Sequence, residues 1–242
     1  MATRPGLRRL VVSLSLALVA CAEHTPAVDE LSPAPLPEAS YSAAAQAGAC
    51  VYRILPQESL VLIHVGRAGA MQRLGHDHVI ASEDVEGLIE IGADSSSWRA
   101  DLAVPLRNLI VDRPEYRQRL DLDTEPSDAD IAGTYTNMLK VIEPALYPWA
   151  VVHARIASID AGRPTLSVSI TLHGVAVEYL LPVELDIDAT RLVVSGRVNI
   201  SHSAFGLTPF AAAGGLLRVA DELDVEFRLV GHVVMPCQSS VT

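Results

Sequence analysis

Apolar and small polar residues alternate strictly from Thr165 to Leu172, and the alternation resumes from Val175 to Val183. A period of two places every second side chain on one face, which is the pattern of a half-buried strand. His173 and Gly174 interrupt it at the length of a two-residue hairpin turn, where both residues need positive φ. Glycine takes that conformation freely, and histidine is among the few other types tolerated there. The turn then predicts a register: Leu172 opposite Val175, Ile170 opposite Val177, Val168 opposite Tyr179 and Leu166 opposite Leu181. Ser169 meets Glu178 on the other face. A slip of one residue would turn every apolar side chain outward, so the pairing is strongly specified.

The same period recurs along the chain. Tyr52 to Val65, Val79 to Ile91, Arg99 to Val104, Val151 to Ile159 and Arg191 to Ile200 read as strands. Leu223 to Val234 closes the series, with Leu223, Val225, Phe227, Leu229, Gly231 and Val233 on one face. Asp224, Glu226, Arg228 and His232 fall on the other. Short alternating strands at this spacing predict an all-β antiparallel barrel or sandwich. Residues 113 to 140 depart from the pattern, being dense in charge from Arg113 to Asp130. Ser127 can cap a short helix running through Ile131, with Asp128 and Asp130 in the first turn against the dipole. The segment reads as a helical excursion over one mouth of the barrel, its charges a solvated face.

The ends add a destination. Arg4, Arg8 and Arg9 precede an uncharged, mostly apolar run from Leu10 to Ala20, which reads as a targeting segment over residues 1–20. Leu18-Val19-Ala20-Cys21 resembles the lipobox of bacterial lipoproteins, and the resemblance implies lipid modification of Cys21. Residues 21–49, rich in Ala, Pro, Ser and Glu, read as a flexible tether. Residues 50–237 carry the Val, Ile and Leu of a single core, and 238–242 form a tail. The chain has 18 basic and 29 acidic side chains, a net charge of −11. Loss of the leader removes three arginines and leaves 15 against 29, or −14. Such a surface repels phosphate backbones and speaks against nucleic-acid partners. It also disfavours flat adhesion to anionic headgroups, leaving the anchor as the membrane attachment. Cys50 and Cys237 bracket the strand-rich region. In an exported protein they read as a disulfide joining the domain's ends, with two free structural thiols as the alternative.

The layout resembles the YceI-like family of exported polyisoprenoid-binding proteins. The resemblance rests on Tyr52-Arg53-Ile54, Tyr147-Pro148, Leu172-His173-Gly174-Val175, His202 to Leu207, and Asp221 to Val225. It runs over roughly residues 51 to 234. It implies a lipocalin-like antiparallel barrel of about eight strands, just wide enough to hold one ligand. The implied occupant is a polyisoprenoid or similar amphipathic lipid such as a quinone, with no further cofactor. The expected lining includes Val168, Ile170 and Tyr179, with Phe205, Leu207 and Phe210 closing one end.

His76 and His78 lie two residues apart before an apolar run, so in extended chain they share a side. Three readings stay open: structural hydrogen bonding, contact with a ligand headgroup at the barrel mouth, and metal or haem ligation. The last needs further ligands, and His64, His153, His173 and His202 are scattered. Catalysis has no recognisable motif. Ser201, His202 and Ser203 are adjacent and on a strand would point to opposite faces. The expectation is a lipid-anchored, non-catalytic binding barrel on the periplasmic side of a bacterial envelope. An envelope lipoprotein with a filled barrel, binding protein partners or serving structure, is the remaining alternative.

Overall fold

The computed structural model describes residues 34–235. The leader at 1–20, Cys21 with its lipobox, the first part of the tether, Cys237 and the tail at 238–242 lie outside the described residues. Twelve strands form one antiparallel sheet: β1 (Cys50–Ile54), β2 (Leu60–Ala68), β3 (His78–Ser82), β4 (Glu86–Ile91), β5 (Arg99–Pro105) and β6 (Ile110–Val111), then β7 (Trp149–Asp160), β8 (Arg163–Leu172), β9 (Val175–Ile187), β10 (Arg191–Ser201), β11 (Ala211–Ala212) and β12 (Leu217–Met235). Three α-helices accompany them: α1 (Glu38–Gln46), α2 (Pro114–Arg119) and α3 (Asp128–Ile142).

Eight strands close a barrel in the order β1, β4, β5, β7, β8, β9, β10, β12 and back to β1. The all-β antiparallel barrel is therefore as expected. The hairpin of β8 and β9 has the predicted register at every pair, from Leu166 opposite Leu181 to Leu172 opposite Val175. Its turn residues His173 and Gly174 have φ of 52° and 75°. On β10, Gly196 stands opposite Phe227 of β12, and a Cβ there would lie 2.9 Å from the Phe227 ring. The glycine makes room for the one large aromatic that β12 turns inward.

Two expected strands are each two strands on different branches. Tyr52 to Val65 breaks at Pro56, which supplies no N–H to a ladder and opens a 3₁₀ turn over Pro56–Glu58. β12 is long enough to pair with β1 near its C-terminal end and with β2 nearer its N-terminal end. At the handover, Leu55 N–H donates to Val230 O at 2.8 Å, and Val230 N–H donates to Ser59 Oγ at 3.0 Å. Both backbone groups of buried Val230 are satisfied where neither strand reaches. Val79 to Ile91 likewise divides: β3 extends the side branch β2, β3, β6, whereas β4 joins the barrel.

Helix α3 starts where the Ser127 signal predicts, with a reciprocal capping box between Ser127 and Asp130, but it is not short: it continues past Ile131 to Ile142, where its apolar side chains pack on the barrel. Part of the expected tether is structured. Glu38 to Gln46, helped by alanine's propensity, makes α1. Tyr41 anchors it, buried on the barrel wall with its hydroxyl donating to Asp101 Oδ2 at 2.7 Å. The Arg99 guanidinium sits 4.4 Å from the Tyr41 ring centre, and Glu38 pairs with both terminal nitrogens of Arg53. Ala45 joins Tyr41 in a small buried cluster with Val51 and Leu88. Immediately after α1, buried Cys50 is disulfide-bonded.

Candidate functional site

The barrel is hollow. A cavity of about 660 Å³ runs inside it, within the range of small-molecule sites. Its middle is a belt of strand residues that face inward by alternation: Leu102 and Val104 on β5, Val152 on β7, Val168 and Ile170 on β8, Val198 on β10, Val225 and Phe227 on β12. Tyr52, Ile91, Val183 and Leu192 do not line it and belong to one buried cluster with the lining residues Ile89, Leu181, Val194 and Leu229; a second cavity of about 60 Å³ touches Ile91, Val183 and Leu192. Ile63 and Val65 of β2 and Ile80 of β3 continue the wall along the side branch. Helix α3 covers the remaining gap, contributing Gly133, Asn137, Met138 and Val141 to the lining. These positions follow helical spacing, and the neighbouring Ile131, Tyr135 and Leu139 pack on Leu106, Leu109 and Val111.

The mouth is polar. Arg67, His76, His78, Asp130, Thr134, Asn137, His202 and Arg218 all line the cavity there. His78 is held from behind. Its Nδ1 meets Asp112 Oδ2 at 2.5 Å, and the other carboxylate oxygen accepts from Val79 N–H at 3.0 Å and from Arg117 at 2.5 Å. Asp112 is wholly buried and takes the left-handed conformation at φ 52°, which aspartate tolerates better than most residues. Burial pushes its carboxyl up. The hydrogen bonds from His78, Val79 and Arg117 outweigh that and hold it below the usual carboxylate range. Arg117 is almost fully buried and also donates to Asp77 O, Thr124 O and Thr124 Oγ1. With Nδ1 engaged, Nε2 is the His78 atom left for a guest. His76 Nδ1 is buried without a hydrogen-bond partner, and its ring lies edge-on to His78 with centroids 6.3 Å apart. An unpaired buried nitrogen at a cavity wall is a polar group in want of a ligand.

Of the residues expected at the site, His76, His78, Val168, Ile170, Leu207 and Phe210 line the cavity. Phe205 and Tyr179 do not. Phe205 ends the 3₁₀ turn Ser203–Phe205 and is fully buried, packed with Ile200, Leu207 and Leu223 as wall rather than lining. Tyr179 is half-buried against the same cluster. The scattered histidines stay apart: His153 pairs with Asp101 on the outer wall, and His173 Nε2 with Glu143 at 2.7 Å. His64 faces Asp224. Among the described residues no three His, Cys, Asp or Glu side chains gather as a metal set.

The sequence reading missed Asp112 and Arg117, and Arg117 is no part of a solvated face. The available signal was a charged pair straddling Pro114 directly after the apolar Ile110-Val111, but nothing local says that it folds inward. Ser201 ends β10, and Ser203 Oγ donates to Asp221 Oδ2 at 2.5 Å.

No family model matches the chain, and no curated protein sequence does. Among solved structures, a polyisoprenoid-binding domain from Saccharophagus degradans, implicated in plant cell wall breakdown, aligns at a TM-score of 0.50. The match covers 75% of this chain and 98% of that one, at 17% identity. The chain has the fold of that domain. BcnA of Burkholderia cenocepacia aligns at a TM-score of 0.49 over 73% of this chain and 98% of its own, at 15% identity. A YceI protein of Campylobacter jejuni aligns at 0.42 over 62% and 81%, at 14% identity. At 17% identity the likeness to the Saccharophagus domain is one of fold.

Proposed function

We propose that the protein binds a polyisoprenoid or similar amphipathic lipid inside the barrel and carries it without chemical change. The observation that supports this most is the make-up of the cavity: an apolar interior with polar groups gathered at the mouth. A linear apolar chain with one polar end matches that division. The tail lies along Val168, Ile170, Val225 and Phe227, and the headgroup meets His76 Nδ1 and His78 Nε2. Moving a tail from water is worth about 0.8 kcal/mol per methylene. A tail leaving a bilayer gains almost none of that, because it was already in hydrocarbon. Selectivity for this ligand over bulk lipid therefore rests on the headgroup contacts at the mouth. The solved domain of the same fold, described as polyisoprenoid-binding, lends the reading its ligand class.

The same reading places the protein on the periplasmic side of a bacterial envelope, exported by the leader and held by lipid on Cys21. Extraction of the natively purified protein with organic solvent, followed by mass spectrometry, tests the binding. A stoichiometric isoprenoid lipid is the expected result. Finding none, together with no uptake of added isoprenoids, overturns it. Metabolic labelling with a fatty acid, lost in Cys21→Ala, tests the anchor separately.

A further inference from the structure

Two segments meet along one side of the mouth. The first, Gly66 to Gly75, runs from the end of β2 through a 3₁₀ turn at Gln72–Leu74, and the second spans Phe210 to Val219. Met71 N–H donates to Leu216 O at 2.8 Å, and Val219 N–H to Phe210 O at 3.0 Å. Within the second segment β11 pairs with the start of β12. Leu74, Phe210 and Arg218 line the cavity itself, so this lip is the edge of the opening. Outward from it stand four exposed apolar side chains: Met71, Leu74, Phe210 and Leu216, with Leu74 at 69% exposure.

The charge on both segments is basic. Neither segment holds a single Asp or Glu, in a protein that has 29. Arg67 is occupied by Asp77 at 3.5 Å and Asp123 at 3.6 Å. Arg73 and Arg218 make no ion pair among the described residues. The stretch from Asp121 to Asp130, leading into α3, carries five acids, one of which, Asp123, is the partner of Arg67.

We propose that the apolar lip docks into the surface of a lipid bilayer with anionic headgroups. Met71, Leu74, Phe210 and Leu216 enter among the acyl chains while Arg73 and Arg218 lie at the phosphates. The barrel then sits with its mouth toward the membrane. Basic residues beside exposed apolar ones are the combination that holds a protein at an interface. The net charge of the whole chain still opposes flat adhesion, so contact is confined to this lip, where the nearest acids, Asp77 and Asp123, are paired with Arg67. The lip is also continuous with the lining, which gives a lipid leaving the bilayer an unbroken apolar path. A second copy seated lip to lip would instead close both openings. The proposal rests on the lipid-binding reading of the cavity.

The test is depth-dependent quenching on the full chain. Leu216→Trp is compared with Leu180→Trp, which places an indole at an exposed site on β9. Vesicles of phosphatidylcholine and phosphatidylglycerol carry doxyl quenchers in their acyl chains. Trp98 and Trp149, and everything N-terminal of the barrel, contribute equally to both variants. The expected result is a blue shift and about twofold or greater quenching for Leu216→Trp over Leu180→Trp. Equal quenching, or none in either, overturns docking. In a second measurement, Met71→Glu with Leu216→Glu slows transfer of a fluorescent isoprenoid from vesicles by about tenfold. Its uptake from detergent is unchanged, because neither residue lines the cavity. Unchanged transfer overturns the proposal, as does a dimer in sedimentation that this double variant splits. A lip that enters the bilayer in a protein that takes up no lipid leaves docking standing and removes the lipid-binding reading instead.

Discussion

Replacing Asp112 with asparagine removes one negative charge from a fully buried position while keeping the shape and the tolerance of positive φ. The carboxylate serves three donors: His78 Nδ1, Val79 N–H and Arg117. Asparagine still has one acceptor oxygen, but the guanidinium behind it is left buried without its counter-charge. Breaking a buried pair by removing one partner costs about 3–5 kcal/mol. Arg117 keeps Asp77 O, Thr124 O and Thr124 Oγ1, which places the loss near the lower end, about 3 kcal/mol. Urea unfolding at neutral pH should show this as a midpoint lower by about 1 M or more. Adding Arg117→Met to the variant should recover about 1 kcal/mol or more, since the stranded charge is then gone. The loss should also depend on pH. Asp112's folded pKa lies below its unfolded value of about 3.9, so its stabilisation is fully present above that value. It disappears as pH falls through the lowered folded value. The gap between the natural chain and Asp112→Asn is therefore widest above about pH 5 and narrows in acid. A loss under about 1 kcal/mol, or a gap that widens on acidification, refutes the reasoning.

Three further outcomes follow from other parts of the molecule. Ala100 and Ala154 are paired neighbours that line the cavity, and changing both to leucine narrows it; lipid loading should fall about tenfold with a stability change within about 1–3 kcal/mol. His76→Ala removes an unpaired nitrogen from the mouth, so affinity for an isoprenoid with a polar headgroup should drop by about 1 kcal/mol. In a displacement titration, binding of a plain hydrocarbon should be unaltered, and an equal loss for both ligands would argue against headgroup contact. Tyr41→Phe takes the hydroxyl from Asp101 and should cost about 1–2 kcal/mol. Hydrogen exchange should show that cost as faster exchange in α1, and unchanged protection would mean that the helix is held by packing alone.

The legibility of this protein follows the range of the interactions. The β8–β9 hairpin could be read residue by residue, because a period of two and a positive-φ turn at His173-Gly174 are local and mutually consistent. Ser127 announced α3 for the same reason, its cap lying within one turn. The apolar face of β12 was plain, and with the other strands it pointed to a barrel with a greasy inside. What lay out of reach was decided across the fold. Which strands close the ring depends on β12 changing partner at Val230, a choice made by residues about 170 positions earlier in the chain. That Phe205 and Tyr179 belong to the wall and Phe210 to the lining follows from how one turn seats on the barrel end. The support behind His78 joins residues 34 and 5 positions away from Asp112, and a single charge in a sequence carries no mark of whether it will be buried. By itself the sequence determined the alternation, the turn and the apolar content, because these act through neighbours along the chain. The tertiary structure alone decided that the barrel stays hollow and polar at one end, because packing and charge pairing depend on which distant surfaces are brought together.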